Sequence, residues 1–167
     1  MGNDKLKTAE DSAESSGSTE IYDFRTVVKA LITHRGKILI GQKEDDPEHP
    51  IGGEWHFLGG HIEKGEQFEE AVKREVEEET GLSGEVHQII DVMTFDWDED
   101  GDKNAVQTLY HFEADSSDAE ALDDLQAVKW VDPEDLTEKL GDEEAERLEN
   151  RERQEKFLQK LEQTPVF

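Results

Sequence analysis

Residues 59–82 read GGHIEKGEQFEEAVKREVEEETGL, and this stretch decides the fold class. Apolar side chains recur after the glycine loop at the spacing of an amphipathic helix, which predicts a helix over residues 67–80. Gly81 is typical of a left-handed C-cap, and Leu82 can close that cap with an apolar contact. The stretch therefore predicts a glycine loop that leads into one well-bounded helix.

One face of this helix is both apolar and acidic. At about 100° per residue, the wheel predicts a buried arc that contains Phe68, Ala71, Val72 and Val76. Glu75 and Glu79 fall inside this arc, and Glu78 falls at its edge. Because unpaired buried carboxylates are costly, a positive group is expected beside them, and one interpretation is a bound cation such as Mg²⁺, which takes carboxylate, water and phosphate oxygens. The alternative is that these glutamates turn to solvent at a rim, since a chain so rich in Glu carries such triplets by chance.

The spacing resembles the Nudix box, whose pattern is G-x5-E-x7-R-E-U-x-E-E-x-G-U with U aliphatic. Every fixed position is filled, by Gly60, Glu66, Arg74, Glu75, Val76, Glu78, Glu79, Gly81 and Leu82. Weaker likeness to the family extends to residues 55–60 before the box and 129–136 near the end of the domain. The resemblance therefore covers about residues 24–140.

The resemblance implies an α+β fold, a Nudix-type α/β/α sandwich with a mixed β-sheet between helices. It also implies a hydrolase that uses Mg²⁺ or Mn²⁺ and cleaves the diphosphate linkage of a nucleoside diphosphate derivative, by water attack on phosphorus. Nucleotide sugars, ADP-ribose and modified nucleoside triphosphates are the candidate substrates. The alternative is a non-catalytic Nudix module that senses a nucleotide and regulates a partner. Such modules usually lose box carboxylates, and this chain keeps all of them.

The resemblance further implies roles for individual residues. Catalytic roles fall to Glu75 and Glu78, one of them as general base, and to a supporting ion pair between Arg74 and Glu66. The implied metal ligands are Glu75, Glu78, Glu79, the carbonyl of Gly59 and Asp124. Asp124 stands for an acid that the family often supplies from a later loop, where Glu120 and Asp123 are the alternatives.

Substrate binding needs local attraction, because an acidic protein repels an anionic nucleotide. The most basic part of the chain offers Arg25, Lys29, Arg35, Lys37 and Lys43, of which we take Arg25 and Arg35 as candidates. Trp55 and Phe57 could stack a base, although one of the two is expected in the core. Gly60 would let the backbone pass close to the metal and the substrate.

The net charge excludes several classes of partner. The chain has 167 residues, of which 44 are Asp or Glu and 18 are Lys or Arg, so the formal net charge is −26. Nucleic-acid polymers and anionic membranes both require basic surface. The chain has no Cys, no apolar run of the ~20 residues that a membrane span needs and no signal-peptide pattern. We therefore expect a cytoplasmic protein with a small-molecule nucleotide substrate.

The excess of acids needs its own explanation. Carboxylates spread over every surface segment are typical of proteins that work in molar salt, where the Debye length is only ~3 Å and repulsion is screened. We therefore hypothesise a halophilic cytoplasm. The alternative is an acidic protein of ordinary cytosol that folds despite its self-repulsion.

Composition divides the chain into three parts. Residues 1–20 are predicted to be a disordered acidic tail, residues 21–140 the Nudix domain, and residues 141–167 a C-terminal helical extension that either packs on the domain or forms a homodimer. Strands are predicted over 25–33, 37–41, 85–95, 104–113 and 126–131, and a short helix over 133–140 opened by Pro133.

Overall fold

A computed structural model describes residues 24–45, 53–96, 104–140, 159–160 and 162–163. The strands are β1 (Phe24–His34), β2 (Lys37–Lys43), β3 (Trp55–His56), β4 (Leu58–His61), β5 (Gly84–Asp96), β6 (Asn104–Ala114) and β7 (Leu125–Val131). The helices are α1 (Phe68–Thr80), a 3₁₀ turn (Pro133–Asp135) and α2 (Leu136–Lys139). The predicted strands are confirmed to within two residues at each end, and so is the box helix.

The seven strands form one mixed sheet in which β1 is central. β1 runs parallel to β6 and antiparallel to both β2 and β4. The first half of β1 pairs with β4, which carries the two glycines, and its last residues pair with β2. β3 and β7 both pair with β2, and β5 pairs with β6. The sheet therefore places the glycine strand beside its middle.

Apolar side chains cover both faces of the sheet, as the alternation of strand residues requires. The cluster on the α1 face includes Val28, Ala30, Ile32, Leu58, Val72, Val76, Tyr110 and Phe112. The cluster on the other face includes Leu31, Ile38, Ile40, Phe57, Leu109, Val131, Leu136 and Leu140, the last two from α2 and the residue after it. The sheet thus lies between helices, which confirms the predicted α/β/α architecture.

The box helix begins and ends where local signals predict. The Glu70 carboxylate accepts a 3.1 Å hydrogen bond from the N–H of Gln67, the residue before the helix. At the other end Gly81 has φ +74°, and the next residue, Leu82, is buried. One prediction is wrong: Phe68, assigned to the buried arc, is 38% exposed. It is the first helical residue, so no preceding turn covers its ring.

Most of the predicted terminal segments lie outside the described residues. This applies to the acidic tail over 1–20 and to all of the C-terminal extension except 159–160 and 162–163. Of these, Lys160 forms a 2.9 Å ion pair with Asp91 of β5. No helix among the described residues is long and apolar enough to cross a membrane.

Candidate active site

Two adjacent glycines let β4 pass close to β1 and to the box helix. Gly59 lies opposite Lys29 of β1, and Gly60 lies opposite Val28. A Cβ atom on Gly59, whose φ is +153°, would lie 2.0 Å from the carbonyl oxygen of Val28. A Cβ atom on Gly60 would lie 2.6 Å from Oε1 of Glu75. Gly59 therefore makes room for backbone, whereas Gly60 makes room for a carboxylate of the box.

Glu79 is the buried carboxylate of the helix, with only 2% of its surface exposed. Its Oε1 accepts a 2.9 Å hydrogen bond from the N–H of Gly59, but no described group donates to Oε2. Burial, and after it the charge of Glu75, raises the pKa of Glu79 to about 8, although Lys43 and Lys29 oppose the rise. A buried acid oxygen without a donor calls for a proton or a cation.

The guanidinium of Arg74 donates hydrogen bonds to three carboxylates. Its Nε and Nη2 donate to the two oxygens of Glu66 at 2.7 and 2.9 Å, a bidentate pair. Its Nη1 donates to Glu75 at 2.9 Å and to Glu78 at 3.3 Å. The hydrogen bond from Arg74 is the main reason that the pKa of Glu66 falls to about 2. The predicted pair of Arg74 with Glu66 is thus present, and the same arginine also orients Glu75.

The three box glutamates differ in exposure in the order that the wheel predicts. Glu79 is buried, Glu75 is half-buried, and the side chain of Glu78 is 51% exposed. Burial raises the pKa of Glu75, Arg74 lowers it, and the charges of Glu78 and Asp123 raise it again. The three acids therefore form a row along one edge of the helix, in which one is buried, one is half-buried and one is exposed to solvent.

This set of oxygens fits a hard divalent cation. Mg²⁺ and Mn²⁺ prefer carboxylate and carbonyl oxygens, and Glu75, Glu78 and Glu79 supply the carboxylates. The unpartnered Oε2 of Glu79 is the observation that supports the fit. The hydrogen bond from Gly59 places its peptide beside Glu79, and the role of the Gly59 carbonyl stays a prediction.

The acids of the later loop are arranged differently from the prediction. Asp124, the predicted ligand, forms an ion pair with the Lys43 side chain. Asp123, which is exposed and has φ +56°, carries the charge that acts on Glu75. Because Lys43 already pairs with the Asp124 carboxylate, we take Asp123 as the stronger candidate among the loop acids. Metal binding by either residue stays a prediction.

The two predicted arginines lie in different places. Arg25 lies near His61, the residue that follows the two glycines. Burial of the His61 ring lowers its pKa, and the charge of Arg25 lowers it further. Arg35 occupies the β1–β2 turn with φ +49°, five residues beyond Ala30, the last β1 residue that pairs with β4. Since a strand extends ~3.3 Å per residue, roughly 16 Å separate Arg35 from that pairing. The structure does not bring Arg35 to the site.

The aromatic pair divides as expected between core and surface. Phe57 is buried in the cluster on the far face of the sheet. Trp55 is half-buried against the same cluster, and the Lys129 ammonium lies 4.5 Å from the centre of its ring. One face of Trp55 is therefore covered by a cation, and base stacking by Trp55 stays a prediction.

The sequence pattern as a whole matches a described family. The model of the NUDIX domain matches residues 23–160. The chain belongs to the NUDIX family. Curated relatives named nucleoside triphosphatase NudI, from Escherichia coli (strain SE11) and Shigella flexneri, are each 34% identical over 121 residues. These alignments cover 67% of this chain and 84% of the relatives.

Solved structures agree on the fold. The MutT protein from Methanosarcina mazei Go1 is 20% identical with a TM-score of 0.68, over 88% of this chain and 99% of that one. A MutT NUDIX hydrolase from Burkholderia pseudomallei is 26% identical with a TM-score of 0.58, over 71% and 88%. The family and its relatives identify this Nudix chain as a pyrophosphohydrolase.

Some residues of interest in this Nudix domain lack a linear signal. The sequence offers three acids in the later loop, Glu120, Asp123 and Asp124. The pairing with Lys43 distinguishes Asp124 from the other two. A further group of possible ligand atoms, within 4.8 Å of one another, comes from Glu85, His87 and Glu113. All three are exposed, and they come together because β5 and β6 pair Glu85 directly with Glu113.

Proposed function

We propose that this Nudix pyrophosphohydrolase acts on a nucleoside triphosphate or a related nucleoside diphosphate derivative, and that it requires Mg²⁺ or Mn²⁺. The observation that carries the proposal is the buried Glu79 carboxylate, whose Oε2 has no donor among the described residues. The charge of Glu75 reaches the same carboxylate. Two acids this close, one of them buried, are costly unless a cation balances them.

Glu75, Glu78 and Glu79 would hold the divalent cation, with the Gly59 carbonyl and a loop acid as further ligands. Such a cation neutralises phosphate charge and lowers the pKa of a bound water. The residues of the chain would orient the carboxylates and accept the proton of the attacking water. Arg74 fixes Glu75 and Glu78 while Glu66 fixes Arg74, and Glu75 or Glu78 takes the proton of the attacking water. Arg25 and Trp55 are the candidate contacts to the nucleotide.

Nucleoside triphosphates are the first substrates to test. The relatives at 34% identity carry the name nucleoside triphosphatase, which supports this class above nucleotide sugars and ADP-ribose. The reaction would break one P–O–P linkage by addition of water to a phosphorus. Release of inorganic pyrophosphate would indicate cleavage of the linkage between the α- and β-phosphorus, and release of phosphate would indicate cleavage of the linkage to the terminal phosphorus.

The setting of the reaction forms part of the same proposal. We place it in a halophilic cytoplasm, because a formal net charge of −26 causes self-repulsion that molar salt would screen. The same charge argues against nucleic-acid polymers as substrates. A homodimer through the C-terminal extension stays a prediction.

The test is a panel of nucleoside triphosphates, nucleotide sugars and ADP-ribose with Mg²⁺ or Mn²⁺ in molar KCl. Phosphate is measured with and without added inorganic pyrophosphatase, which tells the two products apart. We expect turnover on at least one triphosphate, and Glu78→Gln and Glu79→Gln should each lower kcat about 100-fold or more. Glu77→Gln is the matched control, since Glu77 is exposed and is not a fixed position of the box.

Two outcomes would contradict the proposal. Tight nucleotide binding without turnover of any compound would favour the sensing module instead. Turnover that survives in both glutamine variants would remove the assigned carboxylates from the reaction.

A further inference from the structure

The acidic loop, residues 119–125, is tied to the box helix by its backbone. The N–H of Glu120 donates to the carbonyl of Thr80, and the N–H of Leu122 donates to the carbonyl of Glu79, both at 3.0 Å. These carbonyls belong to the last turn of α1, which has no further helical N–H to bond them. One side of the acidic loop is thus anchored next to the buried carboxylate Glu79.

The other side of the acidic loop is tied to the end of β2. The N–H of Glu44 donates to the carbonyl of Asp124 at 2.9 Å, and the Lys43 ammonium contacts the Asp124 carboxylate. The pairing of β2 with β7 shifts register between Gln42 and Lys43, so that Lys43 pairs with Leu125, the residue after Asp124. Its side chain is only 17% exposed, so the ion pair is partly shielded from solvent.

Asp123 lies between these two anchors. Its φ of +56° is a left-handed conformation that residues other than glycine rarely adopt. Because this conformation is strained, neighbouring contacts must maintain it. Contacts of both adjacent residues are present, from Leu122 to the helix end and from Asp124 to Lys43. Asp123 therefore lies between a residue bonded to the last turn of the box helix and a residue paired with Lys43, which places it beside the box.

We propose that Lys43 and Asp124 form a positioning pair that holds the Asp123 carboxylate towards the metal-binding glutamates of the box. The inference rests on the proposed function, because it assumes that these glutamates bind the divalent cation. It gives Asp124 a different role from direct ligation, since its carboxylate is already paired with an ammonium group. It also gives Lys43 a role other than substrate binding.

A neutral residue of similar length at position 43 would remove the ammonium group while it keeps the packing of the side-chain stem. Lys43→Met therefore tests the ion pair with Asp124 separately from the burial of the stem.

The experiment measures Mn²⁺ binding by calorimetry on the full chain, without nucleotide, for a set of single and double variants. Lys43→Met, Asp124→Asn and Asp123→Asn should each weaken Mn²⁺ binding about tenfold or more. The Lys43→Met/Asp124→Asn double variant should bind Mn²⁺ as weakly as the more weakly binding of the two single variants. This is expected because both changes break the same ion pair. Lys43→Arg should restore binding to within a few fold.

Lys37→Met is the matched control. Lys37 forms an ion pair of the same kind with Asp132, at 3.5 Å, at the other end of β2. Loss of that exposed pair should leave Mn²⁺ affinity unchanged. Thermal unfolding of each variant shows whether the fold has survived, and Lys43→Arg decides the case if Lys43→Met unfolds.

Each contrary outcome has a distinct meaning. If Asp124→Asn weakens binding while Lys43→Met and Asp123→Asn do not, Asp124 is a ligand and the positioning role is wrong. Strictly additive losses in the double variant would also overturn the pair. A wild type that binds Mn²⁺ but hydrolyses no nucleotide would refute the proposed function alone, whereas a wild type that binds no Mn²⁺ would refute both.

Discussion

Gly59 and Gly60 are neighbours in the sequence, yet the structure gives them different tasks. A side chain on Gly59 would collide with the backbone of Val28, and a side chain on Gly60 would collide with the movable end of Glu75. Backbone of a central strand cannot shift without breaking its ladder, whereas a carboxylate can rotate away. Substitution of the first glycine therefore concerns the fold, and substitution of the second concerns the site.

We accordingly expect opposite results from two alanine variants. Gly59→Ala should lower the free energy of unfolding by more than about 2 kcal/mol, through the clash and the positive φ. Gly60→Ala should leave thermal unfolding nearly unchanged but weaken Mn²⁺ binding about tenfold or more, because it displaces the Glu75 carboxylate. Thermal melts and calorimetry on both variants check this. Equal loss of stability in the two would contradict the distinction.

Strand β6 illustrates what pairing between elements adds to a residue. His111 of β6 is buried, its ring stacks on that of His87 of β5 with centres 4.9 Å apart, and its Nε2 lies 2.8 Å from the Thr33 hydroxyl of β1. Burial, helped by the neighbouring His87, lowers the pKa of His111 from its ordinary 6.5 to about 4. The periodicity of β6 alone does not show that a titratable ring occupies this position.

Acid should therefore destabilise the sheet through His111. Between pH 6.5 and 4 the unfolded chain binds a proton at His111 that the folded chain excludes, so the contribution of this residue to the free energy of unfolding falls as pH falls, in the opposite direction to that of the buried Glu79. The contribution is about 1–3 kcal/mol across this window and is constant below pH 4. Urea unfolding of the wild type and of His111→Gln at pH 7.5 and 5 measures this contribution. Between the two pH values the free energy of unfolding should change less favourably in the wild type than in the variant. Identical pH dependence in both proteins would show that His111 does not titrate as described.

At the scale of the whole molecule, the acids divide into two groups. A few carboxylates, Glu66, Glu75, Glu78 and Glu79, occupy fixed positions around Arg74 and the glycine strand. Most of the remaining acids contribute to the net charge of −26 without a place in that arrangement. Self-repulsion of this size opposes the compact state, and salt screens it.

Salt should therefore raise the stability of the protein if it is adapted to a halophilic cytoplasm. We expect Tm to rise by about 5 °C or more between 0.1 and 2 M KCl at pH 7, a change of roughly 1–2 kcal/mol. The rise should shrink near pH 4.5, where a large share of the carboxylates is protonated. A Tm at pH 7 that does not depend on KCl would contradict the halophilic hypothesis.

The helices and strands, the family and the box could all be predicted from the linear pattern of residues. Its helix, caps and strands follow from short-range rules of period and capping, and the order of exposure of Glu79, Glu75 and Glu78 follows from one helical wheel. These features depend on residues a few positions apart. For that reason the linear pattern already contains them.

Contacts between distant residues became known from the folded arrangement alone. The choice between Asp123 and Asp124 depends on Lys43, about eighty positions earlier, and the exclusion of Arg35 depends on which half of β1 pairs with β4. The burial of Glu79 beside the N–H of Gly59 is likewise a contact between strand and helix. A linear pattern records the chemistry of each side chain, but distance and burial arise only when the sheet brings its strands together.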